Sequence, residues 1–156
     1  MLAKVHDMNE QDYEISTDKT RLDLEMIHDF FANRSYWSTG VPFSVVEKSI
    51  ENSLCFGVYD QERQVGFGRV VTDFATIAYV GDIFILEHYR GRGLGKKLVK
   101  NIMDHPELQG LRLWLLGTKD AHALYRQFGF QKVAETPFLD RFMVIRNSGV
   151  YQKKNQ

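Results

Sequence analysis

The sequence predicts a mixed α+β fold in which a mostly antiparallel β-sheet is flanked by helices. Two helical patterns come early in the chain, and three β-rich runs with short connections follow them. A glycine-rich loop then joins an apolar strand to an amphipathic helix. Because short connections favour antiparallel neighbours, the three β-rich runs are predicted to form a meander.

The first half of the chain predicts one short strand and two helices. The strand is placed around residues 13–15. In the first helix Thr20 is a candidate cap, and apolar residues then recur on one helical face. A loop over residues 33–42 separates this helix from a second, for which Ser44 and Glu47 have the spacing of a capping box.

The rest of the chain alternates strands with helices. Meander strands are predicted over residues 54–59, 64–72 and 76–86. After the glycine-rich loop follow a helix to about Asp104, a buried strand over 111–116, a helix over 120–128 that ends at Gly129, and two final strands over 131–134 and 141–146. Residues 1–156 are expected to form a single domain with a polar tail from about residue 147.

Composition and charge argue against several classes of protein. The 20 basic and 20 acidic residues cancel, whereas a nucleic-acid-binding protein normally shows a basic excess. No apolar run approaches the roughly 18 residues of a membrane span, and residues 1–10 lack the apolar core of a signal peptide. A cytoplasmic protein without membrane or nucleic-acid partners is therefore expected. Cys55 lies in an apolar run and is interpreted as a small buried residue.

The run Arg-Gly-Arg-Gly-Leu-Gly at residues 90–95 is the most informative stretch. Its glycines allow a tight turn and a close approach of the backbone to a ligand. The first N–H groups of the following helix lack internal partners, and Arg90, Arg92, Lys96 and Lys97 surround them. This combination predicts an anion site suited to a diphosphate, and a solvated glycine turn is the alternative.

Two known phosphate-binding motifs do not fit this stretch. A dinucleotide fingerprint needs a glycine where Lys96 stands, and a P-loop needs Ser or Thr where Lys97 stands. Arg90, Gly93 and Gly95 instead match the pattern Arg/Gln-x-x-Gly-x-Gly/Ala. The stretch resembles the pyrophosphate-binding motif of the GNAT N-acetyltransferases.

A second stretch extends this resemblance. Residues 121–130 are similar to the next helix of that family, which carries a Tyr and ends in Gly-Phe. The resemblance covers residues 13–146 and is strongest over 81–130. It implies the GNAT acyl-CoA N-acyltransferase fold, in which the sheet splays between the strand ending near Leu86 and the strand 111–116.

The resemblance implies acetyl-CoA as co-substrate, with its pantetheine arm in the splay. Backbone groups of Ile83, Phe84 and Ile85 would pair with this arm, and one of their N–H groups would hold the thioester oxygen. Thr118, which stands where family members often carry Asn, and His122 are further implied contacts. The diphosphate contacts implied in the loop are Arg90, Gly91, Arg92, Gly93, Leu94, Gly95 and Lys96.

Two residues are candidate catalytic groups. Tyr125 is implied as the proton donor to the leaving thiolate, although a core tyrosine is the alternative. A phenol pKa near 10 exceeds a thiol pKa near 8.5, so the site must narrow that gap or use the phenol as a hydrogen-bond donor. Asp82 interrupts an apolar strand, so it is expected either to face a cleft as base or ammonium ligand, or to be paired structurally. Asp73, Glu87 and His122 are the other candidate bases.

The acceptor is expected to be a small amine. If the family pattern holds, the pocket for the acceptor amine would be lined by Tyr36 and Trp37 in the early loop, together with Asp73. A hydrophobic plug over the sheet is an equally good interpretation of this loop. The five histidines show no metal-ligand spacing, so no metal is expected. A peptide or protein acceptor and a non-catalytic acetyl-CoA-binding module remain alternatives, and homodimer formation is left open.

Overall fold

Five strands form one sheet in the computed structural model, which describes residues 12–152. The strands lie side by side in chain order, and they are β1 (Tyr13–Ser16), β2 (Leu54–Asp60), β3 (Arg63–Thr72), β4 (Ile77–Ile85) and β5 (Leu113–Leu116). The first four strands are antiparallel, whereas β5 runs parallel to β4. This mixed, mostly antiparallel sheet confirms the predicted fold class and the meander.

Four α-helices flank the sheet. They are α1 (Leu24–Asp29), α2 (Phe43–Glu51), α3 (Leu94–Met103) and α4 (His122–Arg126), and a π-helical turn over Phe30–Arg34 extends α1. Short 3₁₀ turns occur at Lys19–Arg21, Glu87–Tyr89, Pro106–Leu108, Val133–Glu135 and Leu139–Arg141. Within residues 12–152, no helix has the length and apolarity that a membrane crossing requires.

The two early helices begin differently from the sequence prediction. Asp18 caps the first 3₁₀ turn, and Asp23 caps α1 by accepting a hydrogen bond from the Met26 N–H at 3.0 Å. The predicted cap at Thr20 is therefore wrong, since an Asp carboxylate caps each turn instead. The capping box predicted at Ser44 is also wrong, because the N-cap of α2 is Pro42, two residues earlier, and it makes no side-chain cap hydrogen bond.

The core lies on both faces of the sheet. Leu98 and Ile102 of α3 pack against one face, in a cluster that also contains Phe56. The helices α1 and α2 cover the other face, where Ile27 belongs to a cluster with Cys55. Neighbouring residues 55 and 56 thus contribute to opposite faces, as the period of a strand requires. Cys55 is buried as predicted, and this burial raises the pKa of its thiol to about 11.

A β-bulge interrupts the pairing of β3 with β4. The register shifts between Phe67 and Arg69, so that Asp82 and Ile83 both oppose Gly68. Asp82 adopts a φ of 55°, in the left-handed region that Asp tolerates better than most residues. A Cβ on Gly68 would lie only 2.7 Å from Ile83 Cδ1, so a larger residue there would displace the end of the Ile83 side chain.

The C-terminal part of the chain departs from the prediction. The final strands predicted over 131–134 and 141–146 are wrong: a 3₁₀ turn covers Val133–Glu135, and residues 142–147 have no regular structure. Among the residues described, β5 consequently has no neighbour on its outer side. An apolar run reports β-propensity, but a strand forms only where a second backbone completes its hydrogen bonds.

Candidate active site

The sheet opens between β4 and β5. The two strands pair from Ile77 opposite Leu113 to Val80 opposite Leu116, and no pairing continues beyond this point. The strand β4 runs on to Ile85, so the residues from 81 onward face an opening on that side. This gap lies between the same two strands as the predicted splay and opens towards the C-terminal end of β4.

Backbone groups of β4 point into this opening. The Leu86 N–H donates to the Val65 carbonyl at 2.8 Å, which directs it towards β3. Since successive residues of an extended strand direct their N–H groups to opposite sides, the Ile85 N–H and C=O point away from β3. The Ile85 carbonyl already accepts a hydrogen bond from Arg90 Nε at 3.0 Å. The Ile85 N–H is therefore one polar group that β4 presents to a ligand here.

The glycine loop ends at the N-terminus of α3. Gly91 and Gly93 have φ values of 76° and 75°, in the left-handed region, and Gly93 caps α3 without a side chain. No atom of residues 12–152 lies within 4 Å of the position that a Cβ would take on either glycine. The first N–H groups of α3 are thus open to an anion at the positive end of the helix dipole.

The cations around the loop have different roles. Arg92 donates to the Tyr13 hydroxyl at 2.6 Å and to the His88 carbonyl at 3.2 Å, and Lys97 donates to the Tyr13 carbonyl. These contacts fasten the loop and α3 to β1. Lys96 forms no hydrogen bond or ion pair with any residue from 12 to 152, so its ammonium is available to a ligand. No local pattern in the sequence predicts the contact between Tyr13 and Arg92, because the two residues lie 79 positions apart.

Tyr125 of α4 lines a cavity of about 890 Å³ that also borders β5. The side chain is buried, and its ring stands edge-on to Phe130 with centroids 5.9 Å apart. Burial raises the pKa of the phenol to about 12, and the nearby Tyr36 and Asp120 act in the same direction. The hydroxyl therefore keeps its proton at neutral pH and is a hydrogen-bond donor.

Thr118 and His122 line the same cavity. The Thr118 Oγ1 accepts a hydrogen bond from the Ala121 N–H at 3.0 Å, so this hydroxyl closes the turn that precedes α4. Its own proton remains available for donation to a ligand. The structure thus brings Thr118, His122 and Tyr125 together at one cavity.

The carboxylate of Asp82 has two partners. Its Oδ1 accepts from Trp37 Nε1 at 3.0 Å, and its Oδ2 accepts from Arg69 Nε at 2.7 Å. Arg69 also donates to Ser53 Oγ at 3.0 Å. Sequence reasoning missed Arg69, although a signal was present: a charge within an apolar strand requires a partner, and the meander places residue 69 opposite residue 81, next to Asp82.

The loop before α2 bridges the opening. Tyr36 Oη accepts a hydrogen bond from the Lys119 N–H at 3.1 Å, beyond the end of β5. The neighbouring Trp37 bonds to Asp82 on β4. Both aromatic side chains remain exposed, so the loop presents apolar surface at the splay.

Asp73 lies away from this loop. Its carboxylate caps the turn before β4, where it accepts hydrogen bonds from the Thr76 hydroxyl and from the N–H groups of residues 75–77. These hydrogen bonds hold the pKa of Asp73 well below its usual range. The paired part of β4 separates this turn from the splay, so the structure does not bring Asp73 together with Tyr36 and Trp37.

The remaining titratable candidates are dispersed. Glu87 accepts a hydrogen bond from Arg34 NH1 at 2.9 Å and is exposed before the glycine loop. Throughout the described range 12–152, no three His, Cys, Asp or Glu side chains converge as metal ligands.

Comparisons with known proteins agree with this geometry. Residues 51–132 match the family described as acetyltransferase (GNAT) domain. A solved structure from Xanthomonas campestris pv. campestris, described as a candidate GNAT-family acetyltransferase, is 41% identical, with a TM-score of 0.87 over 91% of this chain and 98% of that chain.

Two curated proteins are also similar. A candidate acetyltransferase of Gibberella zeae is 26% identical over 157 residues, which cover 86% of this chain and 88% of that protein. A candidate spermine N(1)-acetyltransferase of Bacillus subtilis subsp. natto is 34% identical over 96 residues, which cover 58% of this chain and 57% of that protein.

Proposed function

The chain belongs to the GNAT family of N-acetyltransferases, and on that premise we propose that it transfers the acetyl group of acetyl-CoA to the primary amine of a small molecule. One juxtaposition carries the proposal. The glycine loop precedes α3, β4 continues unpaired beyond Val80, and a Cβ on Gly95 of α3 would lie 3.9 Å from Leu124 Cδ2, next to the buried Tyr125.

In this proposal the backbone holds most of the donor. The N–H groups of residues 91–96 bind the diphosphate, and Lys96 adds a charge that no other described residue uses. Arg92 and Lys97 keep the loop in shape through Tyr13. The pantetheine lies along the open side of β4, where the Ile85 N–H donates to it or to the thioester oxygen.

The reaction is a direct attack of the neutral amine on the thioester carbonyl. A C–N bond forms, the C–S bond breaks, and the new amide nitrogen releases a proton to water. The phenol pKa of about 12 exceeds a thiol pKa of about 8.5 by about 3.5, so proton transfer from the phenol to a thiolate has a free energy of ~5 kcal/mol. Full proton transfer from Tyr125 to the thiolate is therefore costly. We assign Tyr125 as the hydrogen-bond donor that stabilises charge developing on sulfur.

The acceptor side favours an amine with one charge and an apolar body. Tyr36 and Trp37 offer exposed aromatic surface there. The nearby carboxylates are already neutralised, since Asp82 pairs with Arg69 and Glu87 with Arg34. In this proposal Asp82 positions Trp37. The likeness to a candidate spermine N(1)-acetyltransferase supports a small-molecule acceptor, and polyamines belong in the test panel.

The experiment measures thiol release from acetyl-CoA across aromatic monoamines, polyamines and peptides with a free N-terminus. The wild type is compared with Tyr125→Phe, and Tyr151→Phe serves as a matched control outside the cavity. We expect turnover on at least one small amine, with kcat lowered by about 10–100-fold in Tyr125→Phe only.

Each other outcome contradicts part of the proposal. Turnover on peptides alone identifies a peptide N-acetyltransferase. Tight binding of acetyl-CoA without turnover on any amine identifies a non-catalytic binding module. Equal activity of the two tyrosine variants removes Tyr125 from the mechanism.

A further inference from the structure

Arg69 is a charged residue in the middle of the mostly apolar strand β3, and its side chain is only 20% exposed. Its Nε donates to Asp82 Oδ2 at 2.7 Å, and its NH1 donates to Ser53 Oγ at 3.0 Å. Ser53 in turn donates to the Ser49 carbonyl of α2 at 2.7 Å. One guanidinium therefore joins the carboxylate on β4 to the C-terminal end of α2.

The carboxylate of Asp82 lies beside the loop that would line the acceptor site. Its Oδ1 accepts from Trp37 Nε1 at 3.0 Å, and its side chain is 16% exposed. The left-handed φ of Asp82 and the β-bulge hold it where β4 parts from β5. Ile85, which would hold the donor, is three residues further along β4, a distance of roughly 10 Å. If the acceptor attacks beside Ile85, its remote end lies within reach of Asp82.

The charges around this position are neutralised or positive. The guanidinium of Arg69 cancels the charge of Asp82. The Lys119 ammonium lies 5.5 Å from the centre of the Tyr36 ring, which belongs to the same loop as Trp37. Asp120 is exposed, so solvent screens its charge. A second ammonium group on the acceptor would therefore meet positive charge at this loop.

We propose that Arg69 determines the charge of the acceptor, because as the counterion of Asp82 it restricts the site to amines with a single basic group. This inference rests on the proposed function, since it concerns the acceptor side of that site. A partly buried carboxylate that loses its counterion requires another cation. The second ammonium of a diamine supplies one, so removing the charge of Arg69 redirects the site towards diamines.

The test compares hexylamine with hexamethylenediamine, which differ only by an amino group at the far end of the chain. Arg69→Met keeps a long, unbranched side chain and removes the charge. Wild type should prefer hexylamine in kcat/KM for thiol release. In Arg69→Met the ratio of kcat/KM for the diamine over the monoamine should rise about 10–100-fold, through a lower KM for the diamine. The Kd of acetyl-CoA should stay the same, because the side chain of Arg69 bonds to Ser53 and Asp82.

Three further variants separate charge from packing. Arg69→Lys keeps the positive charge and should keep the wild-type ratio, although Lys lacks the planar fork that reaches two acceptors. The double variant Arg69→Met, Asp82→Asn removes both charges and should lose the gain for the diamine. Arg69→Gln removes the charge and keeps a donor for the carboxylate, so it should raise the ratio even if Arg69→Met does not fold.

Thermal unfolding gives a second measurement that needs no turnover. Because Arg69→Met leaves a carboxylate without its counterion, the diamine should raise its melting temperature more than hexylamine does. In wild type the two amines should act equally or hexylamine more strongly. If no amine is acetylated, the proposed function fails, and these thermal shifts still decide the role of Arg69.

Three results would overturn that role. One is an unchanged ratio of kcat/KM or equal thermal shifts by the two amines in Arg69→Met and Arg69→Gln. Another is a wild-type protein that already prefers the diamine. The third is a gain for the diamine that persists in the double variant, since the carboxylate of Asp82 would then have no part in it.

Discussion

Replacing Gly93 with Ala tests whether the glycine loop serves a ligand or only a turn. Its φ of 75° lies in the left-handed region, where a side chain costs about 1–2 kcal/mol. Gly110 is a matched control, because its φ is 76° and a Cβ on either glycine would meet no atom within 4 Å. We expect both Ala variants to lower the melting temperature equally, by about 2–8 °C for a chain of this size.

Only Gly93→Ala should weaken the binding of acetyl-CoA. Its Cβ would project into the space where the diphosphate approaches the N-terminus of α3. Losing one charge-assisted hydrogen bond there raises Kd by about 10–100-fold. Titration calorimetry at a temperature where both variants remain folded measures this difference. Equal affinities of the Gly93→Ala and Gly110→Ala variants would refute backbone binding of the diphosphate at this loop.

Three further predictions concern titratable side chains. The free energy of unfolding of Asp82→Ala should be about 1–2 kcal/mol lower than that of Asp82→Asn, because Asn tolerates the φ of 55°. Equal urea midpoints of the two variants would contradict this. The lowered pKa of Asp73 gives a stabilisation that is present above pH 4 and is lost as the pH falls. The urea midpoints of wild type and Asp73→Asn should therefore converge below pH 4. A difference in midpoint that does not depend on pH would exclude this linkage. The raised pKa of Tyr125 gives a stabilisation that is present below pH 10 and is lost as the pH rises through about 12. Absorbance titration against Tyr125→Phe should therefore show one phenol that ionises near pH 12, and an ordinary titration near pH 10 would contradict its burial.

The sequence predicted the elements whose signals are local. The helix after the glycine loop was expected to end near Asp104, and α3 ends at Met103 with Asp104 as its C-cap. Gly129 was expected to need a positive φ after the Tyr-bearing helix, and its φ is 92°. Such features depend on a few neighbouring dihedral angles, so a short stretch of sequence specifies them.

The candidate site was predicted only in part, because some of its contacts join distant strands. The pairing of Arg69 with Asp82 follows from the register of β3 and β4, which a bulge shifts by one residue. The loop at Tyr36 reaches Lys119 only once the sheet has brought both ends of the splay together. No local pattern encodes these distances.

The sequence by itself determined the strand–loop–helix unit at residues 77–103, because apolar periodicity and glycine positions act through neighbouring residues. Only the tertiary structure decided which charges are already paired and that the apolar run 142–145 has no strand partner among residues 12–152. Pairing depends on which surfaces meet in space, and a run of residues that favours a strand does not specify the chain that will lie beside it.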